Sequence, residues 1–115
     1  MSNFDLLKDI NIDNKNICIV NTTENLFPNS NTIYSNDSTT VADESLDFVF
    51  IYGESCKEQL SGWCTKIRKE GYLGGSNWLF FERPHTVLTL RRTVPMFAFN
   101  TPKIYKDFSW LIQVT

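Results

Sequence analysis

The feature that most constrains this chain is an apolar run at residues 46–52. Six of its seven positions are apolar or aromatic, and Asp47 is the exception. A continuous run of this kind is typical of a strand buried on both faces, because a strand with one wet face alternates polar and apolar residues. We therefore expect residues 46–52 to form the central strand of a sheet.

The residues after this strand predict an amphipathic helix over 55–70. Ser55 and Glu58 have the spacing of a capping box, in which two side chains satisfy free backbone N–H groups at the start of a helix. An apolar stripe at helical spacing follows, and Gly71 offers the left-handed residue that often ends a helix. The stripe consists of Cys56, Leu60, Trp63, Cys64 and Ile67.

The N-terminal part of the chain is more polar. Residues 4–10 suit a short amphipathic helix, and Ile17–Val20 predicts a short strand. Residues 21–45 are rich in Asn, Ser and Thr and predict a long polar loop with a minor strand at 32–35. Loops of this length often carry function, and the sequence leaves open whether this one is ordered before binding.

The C-terminal part predicts further strands. Residues 78–83 and 86–92 form a predicted antiparallel hairpin, and 96–99 a third strand. Residues 102–115 fit either a helix or a helix followed by a strand. Together the elements predict a single α+β domain over residues 1–115, with a mostly antiparallel sheet and helices packed on one face.

The apolar runs and the cysteines of the sequence indicate its cellular compartment. No apolar run approaches the roughly 18 residues of a membrane helix, and the N-terminus lacks the apolar stretch of a secretory signal. The three cysteines form no CxxC pair, so reduced thiols are expected. We therefore predict a cytoplasmic protein without membrane contact.

Few residues qualify for catalysis. His85 is the only histidine, so a Cys–His or Ser–His nucleophile must use it. Its position after Pro84 fits an exposed turn better, and a hydrolase using His85 remains an alternative. Cys56 and Cys64 lie roughly 12 Å apart along a helix axis, too far for one metal ion. We predict no metal site and no enzymatic activity.

The glycines do not indicate a cofactor. Gly71, Gly74 and Gly75 follow the predicted helix, whereas a phosphate-binding loop follows a strand and opens a helix. No cofactor is expected.

Charge is divided unevenly along the chain. Residues 1–55 carry nine acids and two bases, a net −7, and residues 56–115 carry nine bases and four acids, a net +5. A basic C-terminal half with aromatic residues suits single-stranded nucleic acid, with Arg83, Arg91 and Arg92 as contacts. The overall pI near 5.3 argues against that alternative.

The acidic half favours a different hypothesis. A small, mildly acidic domain without catalytic motifs has the general character of a bacterial immunity protein, which neutralises a basic nuclease toxin by covering its active site. A phage protein that blocks a host defence is a further alternative. The partner is then another protein, and the predicted contacts are Tyr34, Asp37, Asp43, Glu44 and Asp47.

Overall fold

Six strands make up the fold in the computed structural model, which describes residues 4–53, 62–76 and 103–114. Short 3₁₀ helices at Asp5–Lys8 and Ser38–Thr40 and a helical turn at 62–64 accompany them. The strands are β1 (Asn16–Val20), β2 (Asn31–Tyr34), β3 (Leu46–Ile51), β4 (Ile67–Gly75), β5 (Lys103–Ile104) and β6 (Trp110–Gln113).

The strands form one mixed sheet in the order β2-β1-β3-β4-β6-β5. The first four are parallel, and β6 runs antiparallel between β4 and β5. The prediction of a mostly antiparallel sheet with helices on one face is therefore wrong. The β1–β2 and β2–β3 connections return the chain to the same end of the sheet. The only helix in these two connections is the 3₁₀ helix at Ser38–Thr40, so no helical pattern in the sequence indicated that they are crossovers.

Both faces of the sheet are buried, as parallel sheets require. Along β1, Cys18 and Val20 belong to one apolar cluster, and Ile17 and Ile19 belong to the other. The same alternation divides residues 48–51 of β3, because successive side chains of a strand point to opposite faces. The prediction of a doubly buried central strand is confirmed, with β1 and β4 on either side of β3.

Short segments rather than long helices cover these faces in the described part of the chain. One face is covered by Trp63 and Cys64 from the helical turn, and the other by Leu6, Leu26 and Phe27. Phe27 meets the ring of Phe50 edge-on at 5.0 Å between ring centroids. Large aromatic side chains bury much area per residue, so they can close a face with little chain.

The predicted helix over 55–70 is wrong at its C-terminal end. Residues 62–64 are helical, but Ile67 already begins β4 and pairs with Leu46. The register between β3 and β4 then shifts, and Glu70 adopts a left-handed φ of 68°. This bulge turns the polar residues 68–70 outward, so they resemble the polar end of a helix. Residues 54–61, including the predicted capping box, lie outside the described residues.

The glycines predicted to form a turn are strand residues. Gly74 and Gly75 lie buried in β4 between β3 and β6. A Cβ atom at Gly75 would collide with the indole of Trp110. Glycine is therefore needed here for the close approach of a ring from the far end of the chain.

At the C-terminus, the strand alternative is confirmed at Trp110–Gln113, whereas residues 103–109 form β5 and a turn rather than a helix. The hairpin predicted at 78–92 and the strand at 96–99 lie outside the described residues. Within the described ranges, no helix is long and apolar enough to cross a membrane.

Candidate functional site

The strand order singles out one end of the sheet. β1 lies between β2 and β3, so the chain turns to one side after β1 and to the other side after β2. In open α/β sheets, ligands bind at such a reversal, outside the carboxyl ends of the strands. We call this end the carboxyl edge; it comprises residues 21–23, 34–37 and 52–53.

A cleft opens at this edge between the ends of β1 and β2, with a volume of about 500 Å³. Among the described residues, its lining side chains are all polar or aromatic and include no Asp, Glu, His, Lys or Arg. They are Asn21, Thr22 and Thr23 after β1, and Tyr34, Ser35 and Asn36 at the end of β2.

Two asparagines fix the shape of this cleft. Asn21 adopts a left-handed φ of 73°, a conformation that Asn tolerates better than most residues. Its backbone N–H donates to Oδ1 of Asn36 at 2.7 Å, which joins the ends of β1 and β2. Because the amide oxygen faces this N–H group, the NH₂ group of Asn36 is the part that can donate to a ligand.

Exposed aromatic rings stand on both sides of β1. Tyr34, the last residue of β2, is 41% exposed, and Tyr52, directly after β3, is 38% exposed. The backbone N–H of Tyr52 donates to Val20 O at 3.0 Å, which fixes this residue beside the end of β1. A planar ligand at the reversal of strand order would therefore lie near exposed aromatic rings.

Asp37, a predicted partner contact, also lies at the carboxyl edge, but its carboxylate already has partners. It accepts from Thr39 Oγ1 at 2.6 Å and Thr39 N at 3.0 Å, and so caps the 3₁₀ helix. These two hydrogen bonds hold the pKa of Asp37 below its ordinary value. Asp37 therefore acts as a structural cap for the loop that borders the cleft.

The other predicted acids lie at the opposite end of the strands, where β3 begins. Asp43 pairs with Lys66 at 2.7 Å, and Asp47 pairs with Arg68. Partial burial works to raise the pKa of Asp47, but the hydrogen bond from Arg68, that from Asn16 N–H and the nearby positive charges hold it below its ordinary value. We call this end the amino edge; it comprises residues 9–16, 43–48 and 66–72.

The five predicted partner contacts are thus divided between two edges. Tyr34 and Asp37 lie at the carboxyl edge, and Asp43, Glu44 and Asp47 lie at the amino edge. The structure does not unite them in one surface, and their contact with a protein partner stays a prediction. His85 and the predicted nucleic-acid contacts Arg83, Arg91 and Arg92 lie outside the described residues.

Sequence reasoning missed Thr22, Thr23, Ser35 and Asn36. The signal was present, because polar residues directly after an apolar strand mark the carboxyl ends where α/β sheets bind ligands. This signal did not indicate a ligand site, because the sheet was predicted to be mostly antiparallel. Among residues 4–53, 62–76 and 103–114, no group of three or more His, Cys, Asp or Glu side chains is placed to hold a metal ion.

Comparison with solved structures identifies the fold. A SAM-dependent methyltransferase from Aquifex aeolicus shares 10% identity, over 95% of this chain and 86% of its own, with a TM-score of 0.56. The antibiotic-resistance methyltransferase Kmr shares 12%, over 96% and 92%, with a TM-score of 0.54. A SAM-dependent methyltransferase from Thermotoga maritima shares 12%, over 95% and 84%, with a TM-score of 0.53. No family profile and no characterised relative matches by sequence.

The sheet therefore has the Rossmann-like fold of S-adenosylmethionine (SAM)-dependent methyltransferases. This finding contradicts the prediction of a bacterial immunity protein that inhibits a toxin, and with it the prediction that the chain is not an enzyme. The nucleic-acid-binding and phage-inhibitor alternatives receive no support from these likenesses. The prediction failed because the sequence contains no catalytic motif, and the order and direction of the strands, on which this likeness rests, cannot be read from local patterns.

Proposed function

We propose that this protein is a SAM-dependent methyltransferase that binds the nucleoside part of SAM in the cleft at the carboxyl edge. The observation that carries the proposal is the position of that cleft: it opens at the ends of β1 and β2, beside the reversal of strand order, in a fold shared with such enzymes. Cytoplasmic location remains part of this proposal, supported by Cys18 and Cys64, which are free thiols in the described part of the chain.

The cleft residues fit a nucleoside. Adenine is a planar ring, and the exposed face of Tyr34 offers it a stacking surface. The NH₂ group of Asn36 and the hydroxyls of Thr22 and Ser35 can hydrogen-bond to base or ribose. Asn21 takes the left-handed conformation for which glycine is the usual residue, so the turn forms without glycine.

The charge of the cleft selects among nucleoside cofactors. No Lys or Arg lines it among the described residues, so a pyrophosphate would lack the positive partner it usually has. SAM has no phosphate, and when bound it supplies an electrophilic methyl group on a positively charged sulfur. An uncharged, partly aromatic lining suits such a cation better than a basic one.

The described residues at this edge serve binding and orientation. Tyr34 and Asn36 would hold the nucleoside, and the Asn21–Asn36 hydrogen bond keeps the two strand ends at a fixed spacing. No Asp, Glu, His, Cys, Lys or Arg lines the described part of the cleft, so we assign these side chains a binding and orienting role.

Calorimetric titration tests the proposal. The wild-type protein should bind SAM and S-adenosylhomocysteine and should bind ATP much more weakly. Tyr34→Ala should weaken SAM binding roughly 5- to 100-fold, because base–aromatic stacking contributes about 1–3 kcal/mol. Tyr34→Phe, which keeps the ring, should retain binding.

Ile33→Ala is the matched control, since Ile33 is the neighbouring exposed residue of β2 and does not line the cleft. A folded wild-type protein that binds neither SAM nor S-adenosylhomocysteine would refute the proposal. Equal losses from Tyr34→Ala and Ile33→Ala would refute the cleft assignment. If SAM binds, release of S-adenosylhomocysteine in the presence of a panel of amine, hydroxyl and thiol acceptors would identify the group that accepts the methyl.

A further inference from the structure

A second cavity lies at the amino edge, and nothing in the proposed function uses it. Its volume is about 140 Å³. Its apolar wall is formed by Ile10 and Ile12 from the segment before β1, by Phe48 of β3 and by Tyr72 of β4. Phe48 is fully buried, so the cavity reaches the core of the sheet.

The bulge in β4 forms one side of this cavity. β3 advances from Leu46 to Phe48 by two residues, while β4 advances from Ile67 to Tyr72 by five. The additional residues bend outward, and Glu70 among them holds its left-handed φ of 68°. Bulges of this kind redirect side chains beside functional sites.

The rim of the cavity carries both signs of charge. Asp47 and Arg68 neutralise each other, and Asp47 also accepts from Asn16 N–H at 2.9 Å. Asp9, Lys15 and Glu70 also line the cavity. Asp9 is paired with Lys103, and the charge of Lys15 helps to lower the pKa of Asp47. Lys15 and Glu70 are thus one cation and one anion without an ion-pair partner among the described residues.

We propose that this cavity binds a small zwitterion, namely a free α-amino acid with a compact apolar side chain. Lys15 would receive the carboxylate, Glu70 would receive the ammonium group, and the side chain would enter between Ile12, Phe48 and Tyr72. A cavity of about 150 Å³ is large enough for benzene, so the volume suits a side chain between valine and phenylalanine in size. This site lies at the opposite end of the strands from the cofactor cleft and is independent of it.

Ligand titration of the full chain tests each part of the proposal. L-Phenylalanine and L-valine are the probes, at millimolar concentrations. 2-Phenylethylamine lacks the carboxylate, 3-phenylpropionate lacks the ammonium group, and glycine lacks the side chain. Each of the three should bind at least tenfold more weakly than L-phenylalanine.

Variants locate the two charges. Lys15→Met should abolish the preference for L-phenylalanine over 2-phenylethylamine, and Glu70→Asn should abolish the preference over 3-phenylpropionate. Asn tolerates the left-handed conformation of Glu70, so the backbone is preserved. Glu44→Asn is the matched control, because Glu44 is an exposed acid with a similar φ of 54° that does not line the cavity.

Nuclear magnetic resonance gives an independent location. On addition of L-phenylalanine, the largest shifts of backbone amide signals should fall on residues 10–15 and 68–72, with little change at residues 21–23 and 34–36. The proposal is overturned if no probe amino acid binds, if the amine or the acid alone binds equally well, or if the shifts fall on the carboxyl edge.

Discussion

The two edges of this sheet are built on opposite electrostatic principles. The carboxyl-edge cleft has uncharged lining side chains whose geometry depends on a hydrogen bond between Asn21 and Asn36. The amino edge carries the ion pairs Asp43–Lys66 and Asp47–Arg68 around a bulge. Uncharged polar groups cost little to desolvate if a planar cofactor enters, whereas the zwitterion proposed for the amino edge would need Lys15 and Glu70, the lining charges without an ion-pair partner among the described residues.

The two edges also differ in how the chain reaches them. The carboxyl ends of β1 and β2 are extended by loops of Asn, Ser and Thr that make their own turns. The amino ends of β3 and β4 are drawn together by side chains from distant segments. Substitutions at the amino edge should therefore affect stability, and substitutions at the carboxyl edge should chiefly affect binding.

The largest effect on stability is expected in the middle of the sheet, between the two edges. Gly75→Ala places a Cβ atom against the indole of Trp110, and neighbouring strands prevent β4 from moving away. We expect the free energy of unfolding to fall by about 3 kcal/mol, the upper range for overpacking of a core. Urea denaturation followed by tryptophan fluorescence measures it.

Gly62→Ala is the control for this substitution. The nearest atom to an added Cβ at Gly62 is the Ser38 hydroxyl at 2.6 Å, which can rotate away. Its effect should stay below about 1 kcal/mol, since replacing Gly by Ala also favours a helical turn. Equal effects of the two substitutions would show that the Trp110 contact does not require a glycine.

The next effect belongs to the amino edge. Asp47→Ala removes the acceptor for Arg68 and for the Asn16 N–H group, and the Asp47 side chain is only 17% exposed. We expect a loss of about 2 kcal/mol in the free energy of unfolding. Asp43→Ala, at a side chain that is 70% exposed, should cost less than about 1 kcal/mol.

The pH dependence of this difference follows from the lowered pKa of Asp47. Because the carboxylate is favoured in the folded state, its contribution is fully present above the ordinary pKa of Asp, about 3.9. It is lost as the pH falls through the lower pKa of the folded protein. The stability gap between wild type and Asp47→Ala should therefore shrink below about pH 4, and a gap that widens on acidification would contradict the assignment.

At the carboxyl edge, the expected effect on stability is smaller than that of Asp47→Ala. Asn36→Ala removes the acceptor of the Asn21 N–H group, which water can replace at this exposed position. We expect the free energy of unfolding to fall by about 1 kcal/mol. The fractional loss of SAM affinity should be larger than the fractional loss of stability. Asn11→Ala is the amino-edge counterpart, because Asn11 Oδ1 likewise accepts from a backbone N–H, that of Asp13 at 3.0 Å. It should leave SAM affinity unchanged.

Several elements of the fold could be predicted from sequence alone. The strands predicted at Ile17–Val20 and 46–52 correspond to β1 (Asn16–Val20) and β3 (Leu46–Ile51), because runs of β-branched and aromatic residues suit burial on both faces. The minor strand predicted at 32–35 lies one residue earlier, at Asn31–Tyr34. The candidate site was missed except for Tyr34, which was selected for a different role.

The errors have a common physical origin. Residues 67–75 were assigned to a helix end and a turn because Ile67 fits helical spacing and the segment contains three glycines. Its strand conformation depends on pairing with β3 and β6, and on Trp110, which lies 35 positions after Gly75. No local window contains that information.

The sequence by itself determined which segments are too apolar to leave the core and which are too polar to enter it. Only the tertiary structure decided that the strands run parallel and that their order reverses at β1. Local patterns report the burial of each segment, whereas strand direction depends on where the connections return the chain. That direction brings the ends of β1 and β2 together, and with them the cleft on which the proposed function depends.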